Sequence, residues 1–279
     1  MLLRFAGLGD DLFVNTIAYH LWRQEGRKVV VAGSHPELFR GNPGAWIIPT
    51  SSQTIAHQIG KLLISIRMIG SMTYMGYQPE EKVRGMRPMD SHIFEVLSKK
   101  VGLKNAPTKP EIFLTQDEKK RYSLPSGSKP WIAMHSTGVT EMTENKNWYP
   151  ERFMEVSKRL KETYRIVQLG RTCDPALEVD LDLRGKIRPR EAAAVLASCF
   201  AFVCQVGFLM HAAAAVGTRA VVIYGGFEAP WESGYEQNIN LYSKLPCSPC
   251  WLRTPCPYDK ECMKRITVDE VSDMILKII

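Results

Sequence analysis

The sequence predicts an α/β protein built from two Rossmann-like halves facing a cleft, and three observations carry that expectation. Short β-branched runs alternate with helix-forming segments along most of the 279 residues. Phe200 to Gly226, FAFVCQVGFLMHAAAAVGTRAVVIYGG, reads as strand, tight turn, short helix and strand. It is too apolar to lie anywhere but the middle of a parallel sheet. A stretch carrying Pro107, Pro110, Pro125, Ser126, Ser128 and Pro130 interrupts the alternation. Two domains are therefore expected, at residues 1–127 and 128–279.

Each element has its own signal. Met1 to Phe5 is a short apolar strand, and Gly7-Leu-Gly-Asp-Asp11 is a turn into a helix from Leu12 to Glu25, stopped by Gly26. Strands follow at Lys28–Ala32 and Ala45–Pro49. Thr54 to Ile69 is an amphipathic helix with Ile55, Ile59, Leu62, Leu63 and Ile66 on one face. Tyr74 to Asp90 is Gly-, Pro- and Met-rich and reads as a loop; Ser91 to Val101 is helical. In the second half, Trp131–Met134 is a strand, and Pro150 opens a helix at its first position. Arg165–Leu169 is a strand closed by Gly170, and Pro189 opens the next helix. After the central unit, Thr267-Val-Asp-Glu270 is a capping box for a last helix with Val271, Ile275 and Ile278 on its apolar side.

Composition narrows the function. Apolar residues make up 45% and charged residues 23%, and no run reaches the roughly 18 to 20 apolar residues of a membrane span. The N-terminal stretch lacks a signal-peptide pattern, so a cytoplasmic location is expected. A formal charge of +7 favours anionic partners such as nucleotide phosphates or acidic lipid headgroups. Nucleic acid is disfavoured, because no dense Lys/Arg run with interleaved aromatics is present. A dinucleotide-dependent oxidoreductase is disfavoured too, since no G-x-G-x-x-G follows a strand.

Four stretches carry candidate chemistry. GLGDDL, with Asp10 and Asp11, lies at the first strand-to-helix turn. Asp10 reads as a general base or as a helix cap, and Asp11 as the residue that caps. His135-Ser136-Thr137-Gly138 leaves the second half's first strand as small hydroxyl residues suited to a diphosphate, followed by Lys146-Asn-Trp148. The central unit points the start of a helix, with Gly207, Leu209, Met210 and His211, at the carboxyl edge of the sheet, where phosphates bind. Cys247-x2-Cys250-x5-Cys256-x5-Cys262 places four thiols on a proline-rich loop, a spacing able to hold structural zinc or iron. Read otherwise, these thiols are small hydrophobes, as Cys173, Cys199 and Cys204 are expected to be.

In this order, the four stretches resemble the lipopolysaccharide heptosyltransferase family. The resemblance implies the GT-B glycosyltransferase fold, with an N-terminal acceptor domain and a C-terminal nucleotide-sugar domain carrying a Cys-rich loop at 246–263. It implies inverting transfer of a sugar, heptose from ADP-heptose, to a saccharide of lipopolysaccharide or another cell-surface glycoconjugate. It assigns Asp10 as the base for the acceptor hydroxyl and Lys146 as a contact to the leaving phosphates. Ser136, Thr137, Gly170, Gly207, Leu209, Met210, His211 and Glu228 complete the expected donor site. No cofactor is implied for catalysis, and the partners are a nucleotide sugar, a saccharide or glycolipid acceptor, and a peripheral contact with the inner membrane. Autotransporter-modifying relatives with cysteine-bound iron imply a protein acceptor as an alternative. The chain departs from the family at Val206, Gly207 and Phe208, where the family has acid, hydroxyl and glycine. A non-catalytic nucleotide-sugar-binding scaffold is the rival reading that this departure allows.

Overall fold

A computed structural model describes residues 2–3, 7–50, 52–75, 89–136 and 143–278. The chain divides into two compact units, one of Met1–Tyr77 and Ser91–Thr115, the other of Gln78–Asp90 and Gln116–Ile279. The second unit thus begins ahead of the division expected after residue 127. The cause lies at Gln116–Arg121, a helix that sequence periodicity does not show and that is tied to the second unit. Glu118 accepts from Arg190 Nε at 2.6 Å and Nη2 at 2.9 Å.

The first unit is a parallel sheet with helices. In chain order it holds β1 (Leu2–Leu3), α1 (Leu8–Glu25), β2 (Val29–Gly33), β3 (Ala45–Pro49), α2 (Gln53–Ser65), β4 (Thr73–Tyr74) and α3 (Ile93–Val101). The sheet order is β3-β2-β1-β4 and every pair is parallel. Tyr74, expected in a loop, pairs with Leu3 in β4; the expected loop at 76–88 lies outside the described residues. Helix α1 starts earlier than Leu12 and is buried on all sides from Asp11 to Ala18. Complete burial explains why its apolar residues follow helical spacing so poorly. Two of its buried polar residues are satisfied within the unit: Asn15 Nδ2 donates to Glu111 O at 2.8 Å, and Thr16 Oγ1 accepts from Glu111 N at 2.8 Å. An edge-to-face contact between Phe13 and Phe94, 5.4 Å between centroids, packs α1 on α3.

Helix α2 departs from expectation in its facing. Ala56 packs with Ala32, Val30, Ile48 and Leu63, so Ala56 and Leu63 are the α2 residues that meet the sheet. Ile55, Leu62 and Ile66, expected on the core side, are exposed.

The second unit contains α4 (Gln116–Arg121), β5 (Trp131–Met134), α5 (Pro150–Lys161), β6 (Arg165–Gln168), β7 (Leu181–Asp182), α6 (Pro189–Leu196), β8 (Ala201–Gln205), α7 (Phe208–Val216), β9 (Ala220–Gly225), α8 (Pro230–Ser233), β10 (Ile239–Tyr242), α9 (Glu261–Lys264) and α10 (Val268–Ile278). Its six parallel strands run β10-β9-β8-β5-β6-β7. Numbered from β5, that is the doubly wound order 3-2-1-4-5-6 read from the β7 edge. Strands β5, β8 and β9 are buried throughout, as the apolar central stretch requires. Gly217 takes a φ of +86° at the end of α7, where its N–H caps the helix. The core joins Trp148, Phe153, Ile166, Val203, Ile223, Val271 and Ile275 across α5, the sheet and α10. Among the described residues no helix is long and apolar enough to cross a membrane.

Candidate active site

Strand order locates the site in the second unit. Chain direction out of the sheet reverses between β5 and β8, and doubly wound sheets bind ligands beyond the carboxyl ends of such a pair. His135 and Ser136 follow β5; Val206, Gly207 and α7 follow β8. Among the described residues, a side chain added at Gly207 would meet nothing within 4 Å, which leaves the start of α7 open to them. Its first N–H groups supply partial positive charge there.

Lys146 is fixed by a network across this edge. It ends a short 3-10 turn, Glu144–Lys146, opened by Thr143, whose Oγ1 accepts from Asn145 N at 3.2 Å. Gln205, the last residue of β8, accepts from Trp148 N at 2.5 Å and so anchors the Lys-Asn-Trp segment. Lys146 Nζ lies 2.8 Å from Glu228 Oε1 and 5.3 Å from the centre of the Phe227 ring. Glu228 is buried just beyond β9. His211, in the first turn of α7, is also buried; its Nδ1 lies 2.7 Å from the Tyr235 hydroxyl. Burial, with Glu228 nearby, pushes the Tyr235 hydroxyl well above its ordinary range, so Tyr235 stays neutral. Leu209 and Met210 are buried, leaving their backbone as the part able to meet a ligand.

Two expected donor contacts are occupied by the fold instead. Ser136 is fully buried, with its Oγ donating to Pro175 O at 2.6 Å and accepting from Gln168 Nε2 at 2.9 Å. Gly170 takes a φ of +136°, and a side chain there would strike Asp174 and His135. It clears room for His135 Nε2 to lie 3.3 Å from Asp174 Oδ2. Burial works to raise the Asp174 carboxyl, but hydrogen bonds from His135 and the Arg171 N–H outweigh it and hold the group low. Thr137 and Gly138 lie outside the described residues.

In the first unit Asp10, rather than Asp11, caps the helix. Asp10 is half-buried in the first turn of α1, and its Oδ2 accepts from Gly7 N at 3.0 Å, which caps the helix. Asp11 is fully buried. Its Oδ2 accepts from His35 N at 3.0 Å and Ser34 N at 3.2 Å, and meets His35 Nδ1 at 2.7 Å. Asp11 thus pins the loop after β2 rather than the helix end, because helical rotation turns it inward. The hydrogen bond to Asp11 raises His35 above its ordinary value, against burial, with Glu37 and Asp10 adding to the rise.

Comparison with known proteins follows the same lines. The model of glycosyltransferase family 9 (heptosyltransferase) matches residues 72–260, more than half of the chain. The chain belongs to this family. It is a glycosyltransferase. No curated protein sequence matches it. Among solved structures it is similar to the ADP-heptose LPS heptosyltransferase II of E. coli, at 18% identity and a TM-score of 0.71, over 99% of this chain and 97% of that one. TibC, the iron-containing dodecameric glycosyltransferase of enterotoxigenic E. coli, shares 16% identity at a TM-score of 0.74, over 99% of this chain and 74% of its own. A family 9 glycosyl transferase from Veillonella parvula shares 13% at 0.69, over 99% and 94%. TibC has also been solved with ADP-D-beta-D-heptose. These likenesses show the fold, the GT-B class expected from the sequence.

The cysteine loop of this family 9 chain gives the metal expectation no support. Among the described residues no three His, Cys, Asp or Glu side chains are placed to hold an ion. Cys247, Cys250, Cys256 and Cys262 are free thiols, the first exposed and the others half-buried. Burial and the neighbouring thiols push Cys262 up to about 11 and raise Cys250. Hydrogen bonds hold the loop instead. Cys250 N donates to Gly226 O at 3.0 Å and Trp251 N to Phe227 O at 2.9 Å. Asn145 Nδ2 donates to Leu252 O at 2.7 Å and Thr254 O at 2.8 Å, which ties the loop to the turn bearing Lys146.

Sequence reasoning missed Glu232. This carboxylate is fully buried and accepts from Met89 N at 2.6 Å, Ala229 N at 2.6 Å and Trp251 Nε1 at 2.9 Å. Burial raises it, though the backbone donors and the indole oppose the rise. Ala-Pro-Trp-Glu232 offered a signal, a proline-initiated turn with an acid at its third position.

Proposed function

We propose that this family 9 glycosyltransferase moves heptose, with inversion, from ADP-heptose to a saccharide of lipopolysaccharide or another cell-surface glycoconjugate. The observation that carries the reading is the Lys146–Glu228 pair beside the open start of α7, at the point where the doubly wound sheet reverses. A departing ADP develops negative charge on its diphosphate. Lys146 and the first N–H groups of α7 are fixed positive groups that stabilise it without reorganising. Glu228, released from Lys146, then accepts from ribose or sugar hydroxyls. In the first unit Asp10 takes the proton of the acceptor hydroxyl, whose own acidity is too weak to lose it unaided. The nucleotide sugar held by TibC supports the choice of donor.

The test is transfer itself. Purified protein is incubated with ADP-heptose and a heptose-deficient lipopolysaccharide, and the acceptor is weighed by mass spectrometry. A gain of one heptose, with stoichiometric ADP, is the expected result. ADP binding without transfer to any saccharide acceptor would favour the scaffold reading, and absence of ADP binding would remove the donor assignment.

A further inference from the structure

The sequence periodicity of α2 and its facing in the fold disagree, and the disagreement has a direction. Ile55, Leu62 and Ile66 recur at i, i+7 and i+11, which places them on one narrow stripe. That stripe is not the side packed on the sheet, which belongs to Ala56 and Leu63. Ile55, Leu62, Ile66 and, just past the helix, Met68 are 50% to 63% exposed. Trp46 on the edge strand β3, 61% exposed, adds to them. Its strand partner is Val30, and both Val30 and Ile48, two residues on, pack against the α2 cluster. Successive side chains alternate across a sheet, so Trp46 lies on the same sheet face as α2. The exposed apolar side chains therefore form one surface.

Charge along the segment that bears this surface is of one sign. From Leu38 to Pro79 the sequence contains no Asp or Glu, whereas Arg40, Lys61 and Arg67 are present. Lys61 and Arg67 are exposed on or beside α2. A second copy of this chain docked face to face would set these cations against their own counterparts with no acid in this segment to pair them. An anionic surface accepts them, and an indole with aliphatic side chains suits the boundary between headgroups and acyl chains.

We propose that the α2–β3 face of the first unit docks on an anionic phospholipid bilayer, with Leu62 and Ile66 entering the acyl boundary and Lys61 and Arg67 at the headgroups. The inference goes beyond the transferase reading and is measured without transfer, so either can fail alone.

Flotation with phosphatidylglycerol–phosphatidylethanolamine vesicles, against pure phosphatidylcholine vesicles, tests it. Wild-type protein should float with the anionic vesicles, dissociate as salt rises, and stay behind with the neutral ones. Leu62→Glu/Ile66→Glu should abolish flotation while melting temperature and ADP affinity stay at wild type, since both side chains already face water. Lys61→Gln/Arg67→Gln should weaken binding roughly thirtyfold, at about a factor of five per cation. Undiminished flotation of Leu62→Glu/Ile66→Glu overturns the proposal. So does a wild-type dimer, seen by sedimentation without vesicles, that the same double substitution dissociates.

Discussion

Lys146 Nζ and Glu228 Oε1 are 2.8 Å apart in a part of the second unit largely shielded from solvent. Such a pair ties binding to stability. Lys146→Met should weaken ADP binding, and it should also cost roughly 3 kcal/mol of stability, because Glu228 is left buried without its partner. Adding Glu228→Gln should restore the melting temperature and leave ADP affinity low. Calorimetry and thermal melts on both variants check this. A single variant with wild-type stability would show that the pair is not formed in solution.

Asp10 caps α1 through Gly7 N, so its proposed catalytic part must be separated from its structural one. Asparagine retains the accepting oxygen and lacks the basic carboxylate. Asp10→Asn should therefore lower transfer by about two to four orders of magnitude with little change in melting temperature. Transfer at the wild-type rate would leave Asp10 as a cap alone.

The Asp11–His35 contact predicts a pH dependence. Its hydrogen bond lifts His35 above the ordinary 6.5 in the folded state. A raised folded value means the contribution is complete below 6.5 and is lost as pH rises through the folded value. Wild-type protein should lose stability relative to His35→Gln as pH climbs from about 6 into the alkaline range. Asp11, Asp10 and Glu37 are the charges that act on the imidazole. Parallel melting curves for the two proteins would refute the assignment.

The free thiols predict a graded reactivity. Cys173 and Cys247 are exposed, whereas Cys262 is half-buried with its thiol pushed up to about 11. At pH 8 roughly one Cys262 in a thousand is thiolate, so alkylation there should lag far behind the exposed pair. Mass mapping after brief alkylation of native protein reads the order. Protection of all four loop cysteines, lifted together by a chelator, would restore the metal site that the structure does not form.

The central unit was legible in the sequence because its signals agree: an apolar run, a break at Gly207, an alanine-rich helix and Gly217. The two outer strands of the same sheet were not. Leu181–Asp182 is too short to show a period, and Ile239–Tyr242 alternates over only four residues. At α2 the period identified the helix and misled about its packing. Periodicity finds an apolar arc, but which part of it meets a sheet depends on how closely small residues such as Ala56 let the backbone approach. Asp10 and Asp11 show the same limit at a site. Either acid suits a helix start, and only the tertiary position of His35 decides which one turns inward. The cysteine spacing leaves metal ligands and packed thiols both open, because where the thiols go depends on tertiary hydrogen bonds of the loop that spacing does not show.

Glu232 gathers donors from Met89, Ala229 and Trp251, and Trp231 Nε1 donates to Met89 O at 3.3 Å. Met89 precedes the return of the chain to the first unit at Ser91, so the second unit is not one contiguous segment of the gene. A fragment or chimera cut at Gln116 would carry the buried carboxylate without one of its donors, and the indole of Trp231 without its acceptor. Moving this unit into another chain must therefore carry Met89 as well, or replace Glu232 with a side chain that asks for no such partner.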